Sequence, residues 1–167
     1  MSLAGMTRTF ARPRVLYLTV AAIAAALIGF AMYLQEVEHL EPCPLCILQR
    51  YAYVTVAAAA LLAAIVPRML GRILAWLGIL LALAGAGVGA WHVWLQMHPP
   101  KVSACGPSLE YLVGNLPLGR ALPRIFQGYG DCTEIQWSLL GITIPGWSLM
   151  GLVLLAILLA VAQRRRG

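Results

Sequence analysis

Cys43 and Cys46 are spaced C-x-x-C within Glu41-Pro42-Cys43-Pro44-Leu45-Cys46. That spacing lowers a thiol pKa and supports thiol–disulfide exchange. The motif stands where an acidic connection meets an apolar run long enough to cross a bilayer. A dithiol there can meet an aqueous protein on one side and a lipid-soluble electron carrier on the other. A purely structural Cys43–Cys46 bond would close so small a loop that it would stabilise little, so the spacing favours redox work. Pro44 stiffens the pair, and Cys46 begins a predicted helix whose first N–H groups favour a thiolate.

Arg50 follows Cys46 by four positions, which on a helix puts it on the same face one turn deeper. There its guanidinium can stabilise a Cys46 thiolate or donate to a carbonyl. The competing role, a snorkelling interfacial anchor, is the weaker one, because Arg50 is the only arginine flanking a cysteine on a span. Cys105 and Cys132 complete the four cysteines, and four allow three pairings. The simplest is Cys43–Cys46 with Cys105–Cys132. The second pair serves equally as an exchange site or as a staple worth ~3–4 kcal/mol in the chain-entropy account. A four-thiolate zinc site is disfavoured, since Cys105 and Cys132 lack the close knuckle spacing. His92, between Trp91 and Trp94, is either an interfacial residue or a hydrogen-bond donor to a quinone. The flanking tryptophans, like Trp137 and Trp147, have the character of an interfacial belt. His39 and His98 carry no pattern, and there is no Ser-His-Asp order, phosphate-binding glycine loop or H-x-x-x-H.

The elements that must position these residues are membrane spans. The chain has 167 residues, is 61% hydrophobic and 11% charged, and has a mean hydropathy of +0.82. Aqueous domains are nearer half apolar and a quarter charged. Four apolar segments are readable, at about 15–34, 46–66, 73–95 and 146–162, the last being the shortest. Each reaches the ~17–20 residues that a ~30 Å hydrocarbon core requires. The first exceeds the ~7–15 apolar residues of a signal-peptide core and is expected to be retained as a span.

Orientation follows from the basic residues. Arg8, Arg12, Arg14, Arg68, Arg72, Arg164, Arg165 and Arg166 fall on one side, and these are eight of the twelve cations in the chain. All six acids (Glu36, Glu38, Glu41, Glu110, Asp131 and Glu134) fall on the other. Both termini are therefore expected in the cytoplasm, and all four cysteines outside it, in the disulfide-permissive compartment. The net charge of +6 reflects this end-clustering and predicts no nucleic-acid partner. The expected fold is an all-α, four-span bundle forming a single membrane domain over 1–167, with outer loops at about 35–45 and 96–145. The long loop holds apolar residues at near-helical spacing (Leu109, Leu112, Val113, Leu116) beside Arg120 and Arg124. This suits either a short interfacial helix or a small packed loop domain. Gly85 and Gly89 form a G-x-x-x-G in the third span, a close-approach pattern that is also ordinary membrane composition.

The ordered set Glu-Pro-Cys-Pro-Leu-Cys46, Arg50, His92 before Leu95-Gln96, and Gly-Asp-Cys132 before Gln136-Trp137 resembles the bacterial DsbB family (disulfide bond formation protein B). The likeness runs from Arg14 to the final arginines. It implies an inner-membrane thiol:quinone oxidoreductase that reoxidises the periplasmic dithiol oxidase DsbA. On that resemblance Cys105 receives the attack of reduced DsbA, and Cys132 is its partner. Cys43 exchanges with the loop cysteines, and Cys46 meets a quinone (ubiquinone or menaquinone) as a thiolate. Arg50 and His92 match positions near the quinone ring, and Trp137 and Trp147 match positions nearby.

A magnitude supports the quinone expectation. DsbA-type oxidants stand near ~−120 mV, whereas thiol buffers of the endoplasmic-reticulum type stand near ~−180 to −210 mV. Passing electrons to such a buffer would run uphill by about 3–4 kcal/mol. A non-thiol acceptor is needed, and the chain has no haem, flavin or iron–sulfur pattern. Two rivals are disfavoured. A reductant relaying electrons outward needs a cysteine on the cytoplasmic side. A scaffold held by structural disulfides gives the C-x-x-C pair no work.

Overall fold

The computed structural model describes residues 13–99 and 131–166. Cys105, the loop segment expected to hold an interfacial helix, and Arg8 and Arg12 lie outside the described residues. Four long helices are present: α1 (Pro13–Val37), α2 (Pro44–Ile65), α3 (Arg68–Met97) and α4 (Ile144–Arg166). All four are long and apolar enough to cross a membrane. They run past the apolar segments because helix geometry continues through the polar ends once the apolar middle is packed. Hence α4, whose apolar run is short, still has 23 residues against 22 for α2.

The helices form a ring in which α1 packs on α2, α2 on α3, α3 on α4, and α4 back on α1. Short connections between α1, α2 and α3 make neighbours antiparallel. The core is small and aliphatic: Val20, Ala24, Val56, Ala60, Ala75, Ala82, Leu152, Leu155 and Leu159 are all buried. Large apolar side chains such as Ile73, Trp76, Leu80 and Ile157 face outward, as a lipid-facing surface requires. On α3 the buried stripe runs Gly71, Ala75, Gly78, Ala82, Gly85, Gly89 and then His92. A Cβ built on Gly85 would lie 2.5 Å from Ala52 Cβ and 3.1 Å from Leu152 Cδ1, and one on Gly89 would lie 3.2 Å from Leu149 Cβ. The G-x-x-x-G is therefore the surface on which α2 and α4 close against α3.

At the basic end, the Tyr17 hydroxyl donates to Gln163 Oε1 (3.3 Å), and Gln163 Nε2 donates to the Arg72 carbonyl (2.7 Å). This links the start of α1, the end of α4 and the start of α3. At the other end, a two-stranded hairpin, β1 (Ser138–Leu139) and β2 (Ile142–Thr143), leads into α4. Its turn residues Leu140 and Gly141 both have positive φ (55° and 78°), the conformation of a two-residue hairpin turn that follows strand twist. The all-α expectation did not include this hairpin.

Candidate redox site at the bundle mouth

The C-x-x-C motif is itself the N-terminal cap of α2. Cys43 is the N-cap, with extended φ/ψ (−85°, 166°), and Pro44 follows at the first helical turn. Proline suits that place because its missing N–H would have no partner there. Cys46 is thus the third helical residue rather than the first, and its backbone N–H donates to Cys43 Sγ (3.4 Å). Cys43 and Cys46 are both free thiols, with the Cys43 thiol donating to Cys46 Sγ across 3.2 Å. The pair is thus described here in its reduced form. Cys43 is buried, and its thiol is pushed well above its ordinary pKa, first by the hydrogen bond to Cys46 and then by desolvation.

His92 closes the other side. It is 1% exposed, so it belongs to the bundle interior and not to the tryptophan belt. Trp91 and Trp94 are half-exposed and stack on each other at 4.9 Å between ring centroids. His92 Nε2 lies 3.1 Å from the Cys132 carbonyl and 3.6 Å from Cys43 Sγ, while Nδ1 lies 3.3 Å from Gln49 Nε2. The carbonyl can only accept, so Nε2 carries the proton and Nδ1 accepts from the Gln49 amide. Cys132 is fully buried and disulfide-bonded. One imidazole N–H thus touches both the motif pair and the segment carrying a cysteine already in a disulfide.

Arg50 is buried on the Cys46 face of α2, and its Nη1 donates to Gln35 Oε1 (2.8 Å) and approaches Met32 Sδ (3.6 Å). A cavity of about 290 Å³ opens among α1, α2, the start of α4 and the hairpin segment. Apolar side chains of α1 such as Leu27 and Phe30 line it together with Cys46, Arg50 and His92. Trp137 also lines the cavity, its ring edge-on to Phe30 at 6.4 Å. Trp147 also borders the cavity but points its indole N–H at the Leu139 carbonyl (3.3 Å). Gln49, Gln35 and Tyr53 are lining residues that the sequence reading did not single out. A signal for Gln49 was present: it is three residues after Cys46, a buried amide inside an apolar span.

Four membrane-capable helices with a dithiol capping one of them, beside a disulfide-bonded cysteine, define a multi-pass membrane thiol–disulfide protein. The chain belongs to the family described as disulfide bond formation protein DsbB, whose model matches residues 13–162. It is similar to the disulfide bond formation protein B of Aromatoleum aromaticum, with 47% identity over 92% of this chain and 95% of the relative. It is also similar to that of an Azoarcus species, at 46% identity over the same shares. Nitrosococcus oceani has a relative so named at 43% identity, covering 87% of this chain and 88% of that one. The role of the chain is accordingly in disulfide bond formation.

Proposed function

We propose that this protein reoxidises a DsbA-like dithiol oxidase on the periplasmic face of the bacterial inner membrane. Two electrons would pass from the partner to Cys105–Cys132, then to Cys43–Cys46, and finally to a membrane quinone (ubiquinone or menaquinone). The observation that carries this reading is the position of His92 Nε2, 3.1 Å from the Cys132 carbonyl and 3.6 Å from Cys43 Sγ. It brings the Cys132 backbone and Cys43 against one imidazole, which supports exchange between the two pairs.

The sulfur chemistry balances. A partner thiolate attacks Cys105, forming a mixed disulfide and releasing Cys132 as a thiolate. Cys132 attacks Cys43 of the oxidised motif, and Cys46 leaves as a thiolate. The second partner thiol resolves the mixed disulfide at the partner, freeing Cys105, which then displaces Cys43 from Cys132. This restores the loop disulfide and leaves the motif pair reduced. That end state has the thiol pattern found here, with Cys43 and Cys46 free and Cys132 disulfide-bonded.

The cavity suits a lipophilic ring bearing carbonyl groups. Leu27, Ile28, Phe30 and Leu34 of α1 give it an apolar lining, and Gln35, Arg50 and His92 add polar groups. Among the described residues Gln96 Oε1, which borders the same cavity, is a buried acceptor with no partner, and it would accept from a hydroxyl of the reduced ring. A bound quinone would supply a two-electron, two-proton acceptor that no side chain can provide. Arg50 would donate to a ring oxygen, Cys46 would present its sulfur to the cavity, and His92 would hold a proton at Nε2. The helix N-terminus at Pro44–Cys46 and the nearby guanidinium both favour negative charge on the Cys46 sulfur.

The test is stopped-flow mixing of the purified protein with reduced DsbA and a soluble quinone analogue, following quinone absorbance. Wild type should turn over, and Cys46→Ser should not reduce quinone at all. Full quinone turnover by Cys46→Ser would remove the mechanism.

A further inference from the structure

The reduced centre brings three metal-ligating groups together. Sγ of Cys43, Sγ of Cys46 and a ring nitrogen of His92 all lie within 4.8 Å of one another. Bonds of ~2.3 Å to sulfur and ~2.0 Å to nitrogen around a tetrahedral ion set an S···S edge near ~3.8 Å and an S···N edge near ~3.5 Å. Of the two S···N edges, Cys43 Sγ to His92 Nε2, at 3.6 Å, already meets that value, and Cys46 Sγ, within 4.8 Å of the ring nitrogen, has to close on it. The two sulfurs, at 3.2 Å, need to part by only about 0.6 Å to meet the first. That parting follows once the proton they share has left.

We propose that the reduced centre is also a binding site for a zinc-type d10 cation, held by Cys43, Cys46 and His92. Two thiolates and an imidazole form a soft-to-borderline set that rejects magnesium and calcium. The surroundings have the features that hold such ligands in place. The Cys46 backbone N–H points at Cys43 Sγ (3.4 Å). Gln49, 4% exposed, holds the far ring nitrogen of His92 at 3.3 Å, the kind of outer partner that orients a ligating histidine. With Nε2 on the metal, the ring proton moves to Nδ1, Gln49 turns its amide to accept there, and the Cys132 carbonyl gives up its bond. The fourth corner faces the cavity, where a water completes the tetrahedron. Arg50 on the same helix face disfavours a dication, but two thiolate charges outweigh its one.

Binding moves no electrons. The ion forms two metal–sulfur bonds and one metal–nitrogen bond, and the dithiol releases its protons to solvent. Oxidation to the Cys43–Cys46 disulfide removes both thiolates, so the site exists only in the reduced protein. An ion held there keeps the sulfurs from giving up electrons and acts as a reversible brake on disulfide formation.

The experiment uses the full chain carrying Cys105→Ser and Cys132→Ser in detergent, reduced with a phosphine and titrated anaerobically with cobalt(II) alone. One equivalent should bind, with thiolate-to-cobalt charge-transfer absorption that excess zinc abolishes. The oxidised protein should show none. His92→Ala should weaken cobalt binding tenfold or more, and Gln49→Ala about tenfold, with helical content checked by circular dichroism. If the double-serine chain loses its helical signal, the wild-type chain and its His92→Ala variant are compared, and the same tenfold difference is expected. Equal affinity in His92→Ala, binding by the oxidised protein, or no charge-transfer absorption in the folded reduced protein would overturn the proposal. The readout is bound metal, so a protein that binds cobalt yet fails to reduce quinone would sink the preceding reading and leave this one standing.

Discussion

Gly85→Ala is a sharp test of how the bundle holds its redox end. The added Cβ would sit 2.5 Å from Ala52 Cβ and 3.1 Å from Leu152 Cδ1. Carbon atoms of packed side chains rest ~3.5–4.0 Å apart, so α2 must move away from α3 by about 1 Å. Ala52 is itself only a methyl group and has no rotamer with which to yield. Overpacking of this kind costs about 1–3 kcal/mol. Gly87 is the internal control, two residues along the same helix, where a Cβ would meet nothing within 4 Å. Gly87→Ala should be neutral or stabilising by up to ~1 kcal/mol, through helix propensity alone. The assay is unfolding of each purified variant by titrated SDS in mixed micelles, followed by circular dichroism. Gly85→Ala should also slow turnover, because Ala52 lies two residues from Arg50 on the displaced stretch of α2. Equal stability of the two variants would refute the reasoning, since the helices would then not be in contact at Gly85.

Two further outcomes are expected. Iodoacetamide at pH 8 should leave Cys43 of the reduced, folded protein unmodified and alkylate it on denaturation, because burial and the bond to Cys46 hold it as a thiol. Peptide mass spectrometry reads the result, and stoichiometric labelling of Cys43 in the folded chain would contradict it. The sign of the linkage is fixed: folding raises this pKa, so its contribution to stability is complete below the unfolded thiol value of ~8.5 and falls as pH climbs beyond it. On the proposed function, Arg50→Met should raise the quinone KM about ten- to hundredfold, the equivalent of losing a charge-assisted hydrogen bond of ~1.5–3 kcal/mol, while Arg50→Lys should retain part of it. Steady-state titration with reduced DsbA checks this, and a wild-type KM in Arg50→Met would be the contrary result.

The cysteine motif and Arg50 were legible because their relation is local. A spacing of three or four residues on a helix fixes which side chains share a face. The contact of His92 with the Cys132 carbonyl joins residues 40 positions apart, and no periodicity encodes that. The hairpin escaped notice because its turn is Leu140-Gly141, without the Asn-Gly or Asp-Gly pair that announces such turns. His92 is the instructive case. Its neighbours Trp91 and Trp94 suggested an interfacial residue, yet it continues the small-residue stripe through Gly78, Ala82, Gly85 and Gly89. In water, polarity tells which face of a helix is inside. In lipid both faces are apolar, so the inward face is marked by residue size, with small side chains where helices touch and large ones toward the acyl chains. A histidine in register with that stripe is carried into the bundle, however many tryptophans flank it. The same rule accounts for the exposure of Trp76 and Leu80 on α3, beside buried Ala75 and Gly78. The packing that closes the helices below thus fixes the imidazole against Cys43, and the candidate redox centre depends on glycines that carry no chemistry of their own.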